Sequence, residues 1–272
     1  MKSAIEKHYD IDDLSSKIAH SLRTAGKDIN QLATSDLAPI DEFHIRGRKA
    51  TLELADRMEI GPGSHVLDIG SGLGGPARTL AEVHGCRVTG VDLSTAFCDT
   101  ARQLSQWVGL SDKVRFSQGD ATALAYEAHS FDAAMTLHVA MNIAAKDILY
   151  AGVRRVLKPG RIFAIYDILQ GEGGEVAYPV PWARDASISH LATPVEMRKL
   201  LEGAGFKIEA EMDSTEAGEA WFKQAAAKMA GSSGPPVGLR QFMAADAAQM
   251  TVNQVRNLTE RRIRTVMYIC RS

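Results

Sequence analysis

Residues 66 to 76 read Val-Leu-Asp-Ile-Gly-Ser-Gly-Leu-Gly-Gly-Pro. The first four predict a short buried strand, the glycines a loop, and Pro76 the first turn of a helix, where a missing N–H forfeits no hydrogen bond. Glycines at 70, 72, 74 and 75 allow positive φ and close approach of a ligand to the backbone. Strand, glycine loop and helix in this order form the edge at which open α/β sheets bind nucleotide-like cofactors.

Gly70, Gly72 and Gly75 also satisfy the dinucleotide spacing G-x-G-x-x-G. Asp68 argues against that reading, because a carboxylate two residues before the first glycine repels the pyrophosphate that a helix N-terminus would hold. S-adenosylmethionine (SAM) carries a sulfonium and an ammonium and no phosphate, so an acid at this strand end attracts it. The next apolar strand, Arg87 to Val91, ends in Asp92, about twenty residues on, where a carboxylate binds a ribose diol. The competing readings are a helix-cap carboxylate for Asp68 and a turn residue for Asp92.

Outward from the loop the pattern alternates. Helices are expected over Pro76 to Val83, Thr95 to Val108 (capped by Ser94) and Ala145 to Leu157, and strands over Val114 to Gln118, Phe131 to Leu137 and Arg161 to Asp167. This is an α/β, Rossmann-like pattern, a mostly parallel sheet with helices on both faces. Right-handed crossovers place all strand C-termini on one edge, which brings Gly70, Asp92, Asp120, His138 and Asp167 together.

Before the loop, residues 1–31 read as an amphipathic helix with Ile5, Leu14, Ile18 and Leu22 on its apolar face, Thr34 to Pro39 as a turn, and Asp41 to Met58 as a second helix with Leu52, Leu54 and Ala55 inward. Gly61-Pro62-Gly63 ends it. Residues 1–58 are expected to be a helical cap over the crevice, and 59–272 one compact cofactor-binding unit. A glycine- and proline-rich loop spans 170–192 on the substrate side. Beyond it a helix (Pro194 to Gly203), a strand (Phe206 to Ala210), a helix (Glu216 to Met229), a flexible Gly231 to Gly238 link, a helix (Leu239 to Asn257) and a closing strand (Thr265 to Cys270) are expected.

The chain has 272 residues, 45% hydrophobic and 24% charged, and a formal net charge of −2, so it builds an ordinary core and offers no basic face for nucleic acid. Cys86, Cys98 and Cys270 lack metal-ligand spacing and fit free thiols in a reducing cytoplasm; no metal is expected. The N-terminus lacks the apolar region of a signal peptide, and no apolar run approaches the ~20 residues of a membrane span. A cytoplasmic protein is therefore expected, with homo-oligomer formation left open.

Together these motifs resemble the class I SAM-dependent methyltransferases. Residues 66–75 are similar to their first motif, Gly-Val-Asp-Leu-Ser (90–94) to their second, Gly-Asp-Ala (119–121) to the adenine-contacting turn, and Arg-Val-Leu-Lys-Pro-Gly (155–160) to the turn before the fifth strand. Asp41-Glu-Phe-His-Ile-Arg-Gly, His138-Val-Ala-Met-Asn-Ile and the Pro-Val-Pro-Trp segment (179–182) look like the small-molecule branch, which includes sarcosine/dimethylglycine and phosphoethanolamine N-methyltransferases and quinone C-methyltransferases. Arg46 and Arg161 depart from that pattern, standing where relatives often have glycine. The resemblance implies a seven-stranded sheet with its last strand antiparallel. It also implies cofactor contacts from Asp68, Gly70, Gly72, Gly74, Asp92, Leu93, Asp120, Ala121 and Leu137.

Methyl transfer from a sulfonium needs alignment above all, plus a base if the acceptor atom is protonated. His138, directly after the fourth strand, is the candidate base; the alternative is a wall of the pocket. His44 in the cap and Asn142 one turn past His138 are further candidates, against a core histidine and a helix cap. Tyr178 and Trp182 are candidate aromatic contacts for a cationic amine, against simple anchors of the loop. The expected function is methylation of a small molecule by SAM, yielding S-adenosylhomocysteine (SAH), with N-methylation ahead of O- or C-methylation of a quinone or secondary metabolite. Rivals of other classes are a nicotinamide-dependent oxidoreductase and a non-catalytic SAM-binding module.

Overall fold

Strand β1 (His65–Ile69) lies in the middle of the sheet, and its buried Val66, Leu67, Asp68 and Ile69 explain its near-continuous apolar run. The computed structural model describes residues 13–230 and 246–272, with side chains up to 227 in the first stretch. β1 is flanked in parallel by β2 (Arg87–Asp92) and β4 (Phe131–Leu137), with Val66 opposite both Val88 and Ala133. With β3 (Val114–Gln118), β5 (Leu157–Gln170), β6 (Lys207–Asp213) and β7 (Ile263–Arg271) the order is β3-β2-β1-β4-β5-β7-β6. β7 runs antiparallel to both β5 and β6. Chain direction across the sheet reverses between β1 and β4, which opens the crevice at their C-terminal ends.

Helices cover both faces. On one, α3 (Arg48–Ala55), α4 (Gly75–His84) and α5 (Thr95–Trp107) lay Leu54, Leu80 and Ala101 over Val66, Val88, Met135 and Met267. On the other, α6 (Lys146–Val156) and α7 (Pro194–Gly203) lay Leu149, Val153, Met197 and Leu201 over Leu67, Phe163, Ile165 and Tyr268. The N-terminal helices α1 (Leu14–Thr24) and α2 (Thr34–Asp41) share a third cluster with Leu73 of the glycine loop and Phe97 and Leu104 of α5. Helices α8 (Thr215–Ala230) and α9 (Ala247–Thr259) complete the chain. Among the described residues no helix is long and apolar enough to cross a membrane.

Several expectations are corrected here. Thr34 to Pro39 is the start of a helix and not a turn: Leu37 and Ile40 are both fully buried, and the Asp36 carboxylate accepts the Ala33 N–H at 2.9 Å, which anchors the first turn despite Pro39. The single helix expected over 41–58 is broken, because residues 42–47 form a turn with Arg46 at φ 71° and Gly47 at φ 49°; Leu52 is only half-buried. Among the described residues the helix expected over 1–31 runs from Leu14 to Thr24, ending short of residue 31, and residues 1–12 with Ile5, the Gly231 to Gly238 link and the start expected at Leu239 lie outside the described residues. The 170–192 loop is firmly tied: Asn257 exchanges hydrogen bonds with the backbone of Ala177 at 2.8 and 3.0 Å, and Asn253 Nδ2 donates to Pro179 O at 2.9 Å.

Arg78 of α4, fully buried, joins the N-terminal helices to this frame. Its guanidinium donates to the Asp41 carboxylate at 2.7 Å, to Ala101 O at 3.0 Å, to Ser105 Oγ at 2.9 Å and to the carbonyl of Leu73. Removing one partner of a buried ion pair leaves the other charge uncompensated, so Asp41→Ala should destabilise the protein by about 3–5 kcal/mol in urea unfolding. The double replacement Asp41→Leu/Arg78→Met should cost clearly less than the sum of the singles; additive losses would show that the pair is not coupled.

Candidate functional site

The glycine loop is shaped by β2. Gly70 N–H and Ser71 N–H both donate to Val91 O, at 2.8 and 3.0 Å, and Gly70, Gly72 and Gly74 take φ of 71°, 53° and 78°. The glycines do different things. A β-carbon on Gly70 would lie 2.4 Å from the Val139 side chain, one on Gly74 2.4 Å from the Phe116 ring, and one on Gly75 2.4 Å from Asp41 O. At Gly72 a β-carbon would meet nothing within 4 Å, so here the loop turns its bare backbone to open space. Gly75 therefore serves the packing of α2, and Gly72 is the residue over which a ligand can lie close.

Two carboxyls flank that point. Asp92 Oδ2 accepts the Gly72 N–H at 2.8 Å and Oδ1 the Ser94 N–H at 2.9 Å, fixing the carboxyl plane and leaving each oxygen a lone pair for a hydroxyl donor. Burial raises its pKa and the two backbone N–H groups oppose the rise. Asp68 is 1% exposed and its Oδ2 has no hydrogen-bond partner. Burial, with the carboxylates of Asp92 and Glu42 beside it, pushes its pKa up to about 8 against the pull of Arg78. A buried carboxyl without a donor, next to an open stretch of backbone, fits a ligand that brings a positive charge or N–H donors. It does not fit a pyrophosphate.

The remaining cofactor candidates spread along the same edge. Leu137 is buried at the end of β4, Leu93 and Ala121 are half-buried, and Asp120 is exposed, its Oδ1 accepting from the Thr122 N–H and hydroxyl at 2.8 and 2.7 Å.

On the other side of the crevice stand His138, His44 and Tyr166. His138 has φ 54°, its N–H donates to Tyr166 O at 2.7 Å, and its Nε2 is buried with no partner. The His138 ring lies 4.9 Å from that of Tyr166 and 5.9 Å from that of His44. Burial lowers the pKa of His138 well below the usual histidine value, and that of His44 to about 4, so both imidazoles are neutral. Burial likewise pushes the Tyr166 phenol up to about 12. Arg46 reaches the same region, buried, paired with Glu53 and 3.4 Å from Ser214 Oγ. Sequence reasoning missed Tyr166 and Glu42; the first sits one residue before Asp167, which lies inside β5 and not at the strand end expected for it, and the second sits two residues before His44.

Two candidates prove to be tethers of the loop. Asn142 donates from Nδ2 to Trp182 O at 2.8 Å and Ile188 O at 2.7 Å, which commits its amide nitrogen to the 170–192 loop and not to a ligand. Trp182 is 1% exposed, packs with Ile45, Met141 and Ile168, and donates from Nε1 to Ser189 Oγ at 3.0 Å, so its ring offers no free face for a cation. Tyr178 is half-buried against the same cluster.

Residues 67–165, β1 through β5, match the methyltransferase-domain family. A sterol 24-C-methyltransferase of Gibberella zeae is 39% identical over 116 residues, covering 43% of this chain and 30% of the relative. The chain spans 30% to 44% of the length of the first three curated relatives it matches. Among solved structures, a phosphoethanolamine N-methyltransferase of Haemonchus contortus bound to SAM superposes with a TM-score of 0.74 at 19% identity, over 99% of this chain and 60% of that one. A geranyl diphosphate C-methyltransferase of Streptomyces coelicolor gives 0.66 at 15% identity, over 99% and 89%. These superpositions show the Rossmann-like methyltransferase fold.

The state of Asp68 has a thermodynamic signature. Its folded pKa lies above the unfolded value, so the folded protein holds the extra proton and stability falls as pH rises from about 4 to 8. Asp68→Asn should therefore stabilise the ligand-free protein, by an amount that grows from pH 5 to pH 8 and reaches on the order of 1–3 kcal/mol. Denaturant midpoints at the two pH values test this, and a variant less stable than wild type at pH 8 would contradict it.

Proposed function

We propose that this chain, whose residues 67–165 belong to the methyltransferase-domain family, transfers a methyl group from SAM to a small-molecule acceptor. The observation that carries the reading is the partnerless Asp68 carboxyl beside the open backbone at Gly72 and the anchored Asp92 carboxylate. Asp68 holds the cofactor's ammonium, whose charge favours the ionised form that burial alone opposes. Asp92 receives the ribose hydroxyls; Leu93, Ala121 and Leu137 pack beside the adenine, with Asp120 at the rim. When bound, SAM supplies an electrophilic methyl carbon on a sulfonium that leaves as a neutral thioether.

The chain's part is then to align the acceptor, exclude water and receive a proton. Neutral imidazoles at His138 and His44, with the protonated Tyr166 phenol, make an acceptor pocket with no free cation among the described residues, suited to a neutral molecule with an N–H or O–H. An amine nitrogen is the preferred acceptor atom, and the named relatives keep carbon and oxygen in view. Residues 14–58 and the 170–192 loop close this pocket as a cap and a lid.

Calorimetric titration should show SAM and SAH binding and no signal with NAD. Asp92→Ala should weaken SAM binding by roughly 1–3 kcal/mol, the cost of a lost charged hydrogen-bond partner. SAH release from SAM should be detected with one or more of a panel of amines, phenols, quinones and thiols; NAD binding without SAM binding would overturn the reading. Hydrogen exchange in 14–58 and 170–192 should slow on addition of SAH, and unchanged exchange would remove the cap and the lid.

A further inference from the structure

His44 sits in a hydrogen-bond chain whose direction can be worked out. Arg48 Nη1 donates to Thr79 Oγ1 at 2.9 Å, so the Thr79 hydroxyl proton points elsewhere, to Glu42 Oε1 at 2.6 Å. The Thr51 hydroxyl donates to the other oxygen, Glu42 Oε2, also at 2.6 Å. Both oxygens of this buried group thus receive a proton donor, as a carboxylate requires. Burial raises the Glu42 pKa, and the two threonine hydroxyls hold it down.

Thr51 Oγ1, having given its proton to Glu42, can only accept from His44 Nε2, which lies 3.2 Å away. The other neighbours of Nε2 are Gly47 O at 3.0 Å and Glu42 Oε2 at 3.8 Å, and these are acceptors too. Three acceptors around one ring nitrogen leave a single solution: Nε2 carries the hydrogen and Nδ1 is bare. Nδ1 makes no hydrogen bond among the described residues. His138 lacks any such apparatus, since its Nε2 is buried without a partner.

We infer that His44, locked by Glu42, Thr51 and Gly47 O as the Nε2–H tautomer, presents Nδ1 as the base that takes the acceptor's proton, with Glu42 as its positioning residue. The inference rests on the methyl-transfer reading above. In the step, the acceptor's nitrogen or oxygen forms its bond to the methyl carbon as the methyl–sulfur bond breaks and its electron pair stays on sulfur. The acceptor's proton moves to Nδ1, and the imidazolium so formed faces the Glu42 carboxylate before it passes the proton to solvent. Of the other groups that bear on this ring, Arg46 opposes its protonation, while His138 and Tyr166 are neutral.

The test has two arms. Long-range nitrogen–proton NMR on the full chain with labelled histidine, His44 being assigned by its loss in His44→Gln, should find Nε2–H and bare Nδ1 at pH 7. The near-isosteric Glu42→Gln and Thr51→Val should each turn this into a mixture of tautomers. In the second arm, with whichever acceptor of the amine, phenol, quinone and thiol panel yields SAH, Glu42→Gln should lower kcat by about a hundredfold, the low end of what a positioned base supplies. SAM affinity by calorimetry should not fall, since losing the Glu42 charge only eases ionisation of Asp68, where a merely structural role would weaken binding and turnover together. His44 found with its proton on Nδ1, a tautomer unchanged in both variants, or full kcat in Glu42→Gln would overturn the inference. If no acceptor releases SAH with the wild type, methyl transfer and the base role fall together, while the NMR arm still decides the tautomer lock.

Discussion

The buried guanidinium of Arg78 is the constraint on which the site depends. It binds the glycine loop at Leu73, helix α5 at Ala101 and Ser105, and the N-terminal segment at Asp41. A planar fork with several donors can serve partners in these different directions, which a lysine could not. The contact also explains Gly75, since only a residue without a side chain lets the Asp41 backbone come so near. Because Asp41 is fixed, Glu42 next to it is placed among Thr51 and Thr79, and His44 is carried into the crevice. One ion pair thus fixes both the glycine loop and the side of the crevice where His44 stands.

The backbone stores strain at the same place. Arg46 and His138 are non-glycine residues with φ of 71° and 54°, conformations that cost of order 1–3 kcal/mol each. They stand beside Gly47 and at the end of β4, where the chain turns sharply and brings the two imidazoles within 5.9 Å of each other. The electrostatics divides between the two sides of the crevice. Acidic groups with raised pKa values gather by Gly72, and neutral rings gather by Tyr166.

Most of the sheet was legible in the sequence. Apolar runs bounded by glycine or aspartate mark buried parallel strands without ambiguity, and the spans expected for β3, β4 and α7 coincide with those observed. The helix at Thr34 was hidden because Thr-Ser-Asp and Pro39 carry turn chemistry, and only the burial of Leu37 and Ile40 in three dimensions overrides it. The break after Asp41 was hidden for the opposite reason, since Glu-Phe-His-Ile-Arg carries no turn residue before Gly47 and tertiary contacts of Glu42 and Arg46 bend the chain away. At the site, strand-end acids could be read from spacing alone. The commitment of Asn142 and Trp182 to the loop could not, because it depends on carbonyls forty and more residues distant and on burial that composition does not reveal.

The position of β7 has a consequence for biosynthesis. It lies between β5 and β6, which are made earlier, and among the described residues β6 pairs with β7 and with no other strand. While the ribosome is still adding residues before 263, the β1–β5 half of the sheet, with its glycine loop, can assemble, but β5 keeps a bare edge along residues 162–170. Exposed edges of this kind recruit other chains. A ribosomal pause in that interval leaves a nascent protein with its glycine loop formed and its sheet adhesive, so β7 acts as the closure of that edge.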